Sequence, residues 1–404
     1  MYIARQAIFD RELKVYGYEL LYRKSINSTQ YDGVSSVQSS AAVLNGLYEI
    51  GLNKISDNKV SFINFDSDFI HSDSLELIGP SDLVIEVLEN VTMNDKLIQR
   101  IKYLKQRGYQ IALDDFVSFY NTYPLVPLTD IIKFDILATP LDTIYKDVKK
   151  AIAQKKILLA EKIENIENFN QAKEMGFQLF QGYFFSKPYI VEKSSDVSST
   201  KYQYTRLIAE LNQVEPSYQK LAEIIELDVN LAYRLVKVSS MHVGEDLIYS
   251  IKNALTYMGL KSIHRWIHVL MIKELSSSKP DELMRISLVR SKFCESIAMH
   301  GNFFRKKYEA SIMGLFSVID AILDQTIKEA LENVAITDAI KEALIYKTGD
   351  LMPVYDLMLA YEHAEWEHAD ILINQMNISE PELNKAYLEA LNWSTQIMDL
   401  MTSQ

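Results

Sequence analysis

Apolar positions along the chain follow two rhythms. Up to about Pro188, short apolar runs alternate with longer stretches of helical spacing. The runs are QAIFD and VYGYELLYR, then VSFINFD, DLVIEVLEN, YQIALDDF, DIIKFDI, KILLAEKIEN and FQLFQGYFF. Rich in β-branched and aromatic residues, each predicts a strand. QAIFD and VYGYELLYR flank the short DREL turn and predict a hairpin. Between later runs lie patterns such as NDKLIQRIKYLKQRG, with apolar residues at helical spacing and a glycine stop. Strand and helix alternating this often imply a mostly parallel sheet. At this length a barrel of the TIM-like (β/α) kind is expected rather than an open sheet.

Residues 191–201, VEKSSDVSSTK, are polar, serine-rich and without period, and read as a linker. After Tyr202 the strand-like runs vanish. YQKLAEIIELD, NLAYRLVKVSS, SIKNALTYMG, EASIMGLFSVIDAIL and TDAIKEALIYKTG are amphipathic helical patterns. Gly259 and Gly349 stand where helix C-caps belong. The expected organisation is an α/β barrel over residues 1–190, a linker over 191–201 and an all-α bundle over 202–404.

Composition sharpens this picture. A chain of 404 residues is too long for one ordinary core, and 48% hydrophobic content supplies two. The net charge of −12 argues against a general nucleic-acid binder. A small anionic ligand is compatible with it where cations bridge ligand to carboxylates. Cys294, the one cysteine, excludes an internal disulfide, suits a reducing compartment and reads as a small buried apolar residue. No apolar stretch approaches the roughly 20 residues of a membrane helix. The start, MYIARQAIFDREL, alternates like a strand and lacks a signal peptide's apolar core. The expectation is a cytoplasmic protein without membrane contact. No GxGxxG or P-loop pattern occurs.

The strand runs end in polar residues: Glu19, Asn64, Glu86, Asp114 with Asp115, Lys133, Glu161 and Gln181. In a parallel barrel the C-terminal strand ends converge on one rim, so residues far apart in sequence meet there. Taken singly, each has an ordinary explanation. Asp or Asn at a strand's end caps the next helix, and Lys133 pairs with Asp135 or another carboxylate. Taken as an ordered set, they point to a site. Several carboxylates and an amide oxygen are hard ligands suited to Mg²⁺ or Mn²⁺. Two such ions held by shared carboxylates are a recurring device for phosphodiester hydrolysis.

On these residues the first half resembles the EAL domains that hydrolyse cyclic di-GMP, over roughly residues 1–190. YELLYR resembles the family's Glu-Ala-Leu signature, with Leu20 in place of alanine, and Arg23 matches its downstream arginine. Asn64 in FINFD, Glu86 in IEVLEN and Asp114 with Asp115 in DDF match metal-binding positions. Lys133 in IKFD matches the lysine that positions the attacking water. AEKIE sets Glu161 and Glu164 on the paired glutamates, and QGYFFSKP sets Gln181 on the terminal motif. The resemblance implies a barrel with one antiparallel strand that cleaves cyclic di-GMP to linear pGpG. Glu19, Asn64, Glu86, Asp114, Asp115 and Glu161 are then the ligands of two metal ions. Lys133 and Glu161 are the catalytic pair, with Glu161 as general base. Arg23, Glu164 and Gln181 are substrate-binding residues.

One departure matters. The family follows Asp-Asp-Phe with Gly-Thr-Gly-Tyr-Ser-Ser, in a loop that helps order the second metal and the dimer contact. This chain has Val117, Ser118, Phe119, Tyr120, Asn121 and Thr122. Glycine reaches backbone conformations that Val and Phe avoid, so the loop takes another shape. That leaves open a barrel that senses cyclic di-GMP without turning it over, and a third reading as a protein-interaction scaffold without nucleotide.

The second half resembles HDOD domains, relatives of HD phosphohydrolases that lack the metal ligands. DVNLAYRLVKVSS, SIKNALTYMGLKSIHRWI, LVRSKFCESIA and SIMGLFSVIDAIL carry that resemblance. His264 and His268 have helical i, i+4 spacing, but Arg265 follows His264, and the sequence contains no HExxH motif and no His-Asp dipeptide. Met258, Met271, Met284 and Met313 read as core. The expected bundle holds no metal and passes a signal to or from a protein partner. The whole chain is thus expected to be a bacterial cyclic di-GMP signalling protein, with a homodimer as one assembly the family allows.

Overall fold

A computed structural model describes residues 2–23, 51–65, 67–87, 91, 93–114, 123–182, 199–227, 231–232, 234–236, 238–239, 250–276, 279–300, 303–332, 334 and 336–402. Asp115 and the departing loop Val117–Thr122 lie outside the described residues, as do positions 191–198 of the expected linker; Ser199–Lys201 are already helical.

Eight strands close into a barrel in sequence order: β1 Tyr2–Phe9, β2 Val15–Arg23, β3 Val60–Phe65, β4 Leu83–Val87, β5 Gln110–Leu113, β6 Ile131–Asp135, β7 Ile157–Glu161 and β8 Leu179–Phe180. β1 and β2 form the expected antiparallel hairpin, with Gln6 opposite Glu19 and Tyr2 opposite Arg23. From β2 to β8 every neighbour is parallel. β8 meets β1 antiparallel, Phe9 opposite Phe180. β1 is therefore the one antiparallel strand.

Side chains alternate between the two faces of a strand, and this divides the barrel into layers. Ile8, Phe62, Val84, Ala112, Ile131, Leu159 and Leu179 pack together as an apolar plug inside it. Residues of the other parity, such as Leu113, Ile132, Phe134, Leu158, Ala160 and Phe180, pack outward. They meet apolar faces of helices α3 Leu141–Ala153 and α4 Ile166–Met175, through Leu141, Ile144, Val148, Phe169 and Ala172. Gly17 belongs to the plug level of β2. A Cβ there would lie 2.5 Å from the Val60 carbonyl oxygen and 2.8 Å from Val60 Cγ1, so the close approach of β2 to β3 requires glycine.

Helix α1 spans Leu52–Ile55 and α2 spans Asp95–Gln106. Asn94 caps α2 by accepting from the Leu97 amide at 2.9 Å, and Gly108 follows with φ +96. These are the start and stop that the NDKLIQRIKYLKQRG pattern predicts.

Beyond Ser199 the described elements are helices. They include α5 Ser199–Leu211, α6 Tyr218–Glu226, α7 Ile251–Leu275, α8 Asp281–His300, α9 Lys307–Phe316, α10 Met352–Glu362, α11 Trp366–Met376 and α12 Glu380–Thr402. Gly259, with φ +73 and ψ 153, ends one helical stretch and begins another within α7. Met258, Met284, Met313 and Cys294 are buried, while Met271 is half-buried. Among the described residues no helix is long and apolar enough to cross a membrane.

The chain forms two compact units. One comprises Met1–Lys187, His300–Asn302 and Asp356–Gln404; the other comprises Pro188–Met299 and Phe303–Tyr355. The final helices thus pack with the barrel. Tyr2 is stacked on Trp366, with ring centroids 5.2 Å apart, and its hydroxyl donates to Asp370 at 2.8 Å.

Candidate active site

Two residues beyond each plug residue, toward the same end of the barrel, lies a polar one. Phe62 is followed by Asn64, Val84 by Glu86, Ala112 by Asp114, Ile131 by Lys133, Leu159 by Glu161 and Leu179 by Gln181. Glu19 and Gln6 hold the equivalent level on the hairpin, facing each other in register. The period of two that buries the plug also points this ring of eight polar residues into the barrel.

Lys133 is the hub. Its side chain is fully buried. Its Nζ lies 2.7 Å from Glu86 Oε1, 2.8 Å from Asp114 Oδ1, 2.8 Å from Glu161 Oε1 and 3.5 Å from Glu19 Oε1. One ammonium thus meets four carboxyl groups from β2, β4, β7 and the end of β5. Asp135 is not its partner; that carboxylate pairs with Lys162 at 2.6 Å and accepts from the amides of Leu137 and Ala138. Asp135 thus serves its own strand end, and Lys133 pairs with other carboxylates, the four of the ring.

The amides complete the ring. Asn64 Nδ2 donates to Glu19 Oε1 at 3.0 Å. Gln181 Nε2 donates to Glu19 Oε2 at 2.7 Å and to Gln6 Oε1 at 2.9 Å. The backbone of Gln181 is pinned on both sides, donating to the Ala160 carbonyl and accepting from the Ile163 amide. Gly182 follows with φ +152, and a Cβ there would collide with the Ile163 backbone. Gln181 can stand where it does only because a glycine comes next.

The electrostatics are unequal among the carboxyls. Burial acts to raise Glu19, but Lys133 and the two amides outweigh it and hold that group below its ordinary value. Glu86 is pushed well above the ordinary value by burial, with Glu19 and Asp114 adding to the rise against the pull of Lys133. Burial drives Glu161 up to about 8, again with Lys133 opposing and Asp114 and Glu19 adding. Lys133 itself loses to burial but gains more from Glu161, Glu19, Glu86 and Asp114, and is raised well above the usual lysine value. Without a bound cation the ring approaches charge balance by keeping protons on some of its carboxyls.

Three oxygens in the ring are buried without a hydrogen-bond donor: Asn64 Oδ1, Glu86 Oε2 and Gln181 Oε1. Glu86 Oε1 faces the Lys133 ammonium at 2.7 Å. A buried oxygen left in this way is unfavourable by roughly 1–3 kcal/mol. Several converging in one ring fit a hard cation, which satisfies oxygen lone pairs without needing donors. Among the described residues, no group of three or more Asp, Glu, His or Cys side chains is yet arranged to hold a metal ion. In this arrangement the carboxyls close on the ammonium instead.

Of the residues the sequence singles out, Glu19, Asn64, Glu86, Asp114, Lys133, Glu161 and Gln181 come together. Arg23 ends β2 directly opposite Tyr2. Glu164 lies beyond β7, exposed, with no contact to the ring among the described residues. Gln6 is the residue that sequence reasoning missed. Its signal lay in the hairpin, because a short turn fixes which residue faces Glu19.

In the helical unit, His264 and His268 share one face of α7. His268 Nδ1 donates to the His264 carbonyl at 2.8 Å, and its ring meets Phe316 edge-on at 5.4 Å. Burial, helped by His264, drives His268 down to about 3, so it stays neutral at ordinary pH.

Two family models match the chain in order, the first beginning after the hairpin that carries Gln6, Glu19 and Arg23. The EAL domain model matches residues 61–188 and the HDOD domain model matches residues 198–344. The uncharacterized protein YuxH of Bacillus subtilis is 35% identical over 411 residues, covering 99% of this chain and 99% of that protein. The cyclic di-GMP phosphodiesterase CdgJ of Vibrio cholerae is 31% identical over 405 residues, covering 99% of this chain and 94% of that protein. Among solved structures, the Bacillus subtilis YkuI protein, with an EAL domain, in complex with cyclic di-GMP and calcium, is 22% identical. That match covers 63% of this chain and 72% of that one, with a TM-score of 0.38.

Proposed function

The chain belongs to the family in which an HDOD domain follows an EAL domain, with YuxH and CdgJ as full-length relatives, and from that premise we propose that its barrel is a divalent-metal-dependent phosphodiesterase that opens cyclic di-GMP to linear pGpG. The observation that carries this reading is the set of orphaned oxygens on Asn64, Glu86 and Gln181, in a ring already crowded with carboxyls. CdgJ, named for this activity, supports it.

Glu19, Asn64, Glu86, Asp114 and Glu161 would hold Mg²⁺ or Mn²⁺, joined by Asp115 from beyond the described residues. A bound divalent ion supplies charge neutralisation at the phosphate and lowers the pKa of a bound water. The chain's own groups do the rest. Lys133 orients the attacking water through its ammonium and faces the charge that grows on the phosphate. Glu161 would accept the water's proton, its carboxylate being held beside the Lys133 ammonium at 2.8 Å. Gln181 and Asn64 fix the orientation of Glu19. Arg23, at the rim end of β2, offers a guanidinium to the phosphate. The walls of the barrel exclude bulk water, which strengthens each of these interactions.

A paired assay on the full-length protein with Mn²⁺ or Mg²⁺ tests the reading. Calorimetry records cyclic di-GMP binding and chromatography records pGpG. The expected result is binding with product, and loss of product in Glu19→Ala. Binding without product would make the barrel a sensor. Absence of both, in a folded protein, would leave the scaffold reading.

A further inference from the structure

Lys162 follows Glu161 directly and has two unusual features. Its φ is +57, and among the described non-glycine residues with positive φ it alone comes next to a member of the ring. Lysine seldom adopts this left-handed backbone, which strains a residue with a Cβ. Its ammonium also reaches in from solvent. The Lys162 side chain is 54% exposed, while the Asp135 carboxylate it meets at 2.6 Å is 9% exposed. Both features act where the strands end. The Glu161 carbonyl accepts from the Ile136 amide at 3.3 Å, and beyond Lys162 the Ile163 amide donates to the Gln181 carbonyl at 3.0 Å. The left-handed turn thus takes the chain from the β6 side of Glu161 to the β8 side at Gln181.

The partner gives the turn its importance. Asp135 stands opposite Glu161 in the register of β6 and β7, and residues so paired turn their side chains to one face. It also lies two positions beyond Lys133, on the same face of β6. A fifth carboxylate therefore borders a ring whose single ammonium already serves four. Left to itself, it would repel Glu161 and compete for Lys133. Its oxygens are engaged elsewhere: Oδ2 by Lys162, and Oδ1 by the amides of Leu137 and Ala138. Burial acts to raise Asp135, but these partners, Lys162 foremost, outweigh it and hold the group below its ordinary value. We propose that Lys162 is a positioning residue of the site: it holds the Asp135 carboxylate apart from Glu161 and Lys133, and its turn aligns Ile163 with Gln181. The effect on turnover rests on the phosphodiesterase reading above; the hold on Asp135 does not.

The test uses the full chain with Lys162→Gln, with Lys162→Arg, and with Lys162→Gln combined with Asp135→Asn. Lys155→Gln is the control, an exposed lysine with φ +59 ahead of β7. Turnover of cyclic di-GMP is measured with Mn²⁺, and amide exchange at Ile163 and Gln181 is measured with chelator. Lys162→Gln is expected to lower kcat about tenfold with KM little changed, the scale of one hydrogen bond to a charged group. Exchange at Ile163 should quicken by about the same factor. Asn at 135 keeps an oxygen for the Leu137 and Ala138 amides and discards the charge, so the double variant should recover both to within about threefold. Lys162→Arg keeps both, and Lys155→Gln changes neither. A loss in Lys162→Gln that Asp135→Asn does not restore overturns the proposal. Unchanged kcat in Lys162→Gln overturns it too, even with faster exchange, because Lys162 then stabilises the strand ends without positioning the site. If the unaltered protein forms no pGpG, the phosphodiesterase reading fails instead, and recovery of exchange in the double variant decides the hold on Asp135.

Discussion

Lys133 shows how one residue can carry the electrostatics of a site. Four carboxyl groups are drawn onto a single buried ammonium, and each would be expensive to bury alone. Lys133→Met keeps the volume and removes the charge. In metal-free buffer at pH 8 it is expected to destabilise the barrel by about 3–5 kcal/mol, the scale for breaking a buried ion pair. The loss should shrink at pH 5, where the abandoned carboxyls protonate; urea unfolding at the two pH values measures it. Glu161 gives the opposite dependence. Its ordinary value is 4.5 and its folded value about 8. Between these the folded chain keeps a proton that the unfolded chain has released, so stability falls as pH rises through that window. Glu161→Gln is expected to flatten this decline, seen as a smaller difference in unfolding midpoint between pH 5 and pH 8.5 in the presence of chelator. Glu19 works the other way, because its folded value is lowered. Its contribution is present above 4.5 and lost as pH falls through the folded value.

Elements convert these residues into a ring. The alternation that predicts each strand also places its polar residue two positions beyond an apolar one, so six separate strands deliver their side chains to one level without further instruction. The hairpin is the delicate part. A one-residue slip of β1 along β2 would turn Gln6 outward, away from Glu19. Gly17 guards the next pairing, since its missing Cβ lets β2 lie against Val60 and Phe62 of β3. Gly17→Ala should destabilise the protein by about 1–3 kcal/mol through overpacking. It should also weaken divalent-ion binding more than an alanine on the solvent face of α2 does. Thermal unfolding and calorimetry on the same samples separate the two effects. The helices were readable by their ends: Asn94 and Gly108 bracket α2 as capping chemistry requires. Gly259 was readable as a helix end, but not as a bend from one helical stretch into the next.

At the scale of the whole molecule, two compact units with separate cores are expected to unfold in separable steps rather than as one transition. A ligand that binds only the folded barrel stabilises that unit alone. At a hundred times its dissociation constant the gain is about 2.7 kcal/mol. Scanning calorimetry with and without Mn²⁺ should therefore move one transition upward and leave the other in place. Both moving together would mean that the units unfold as one. Because Asp356–Gln404 belongs to the barrel's unit, Trp366→Ala should lower the ion-sensitive transition and spare the other.

The amino-acid sequence by itself determined the strands, their order, the change to helices after Tyr202 and the polar residue at the end of each run, because these depend on local period and capping. The oxygen-rich character of the ring was legible too, since carboxyls and amides end successive strand runs. What only the tertiary structure decided concerns pairs distant in the chain. Lys133 chose four carboxyls over nearby Asp135; Gln6 joined the ring through Gln181, 175 residues away; and the last helices settled on β1, with Tyr361 meeting Ile3 across 358 residues. Periodicity says which face a residue occupies. It does not say which face it meets, because that is set by barrel closure and by the packing of the last helices.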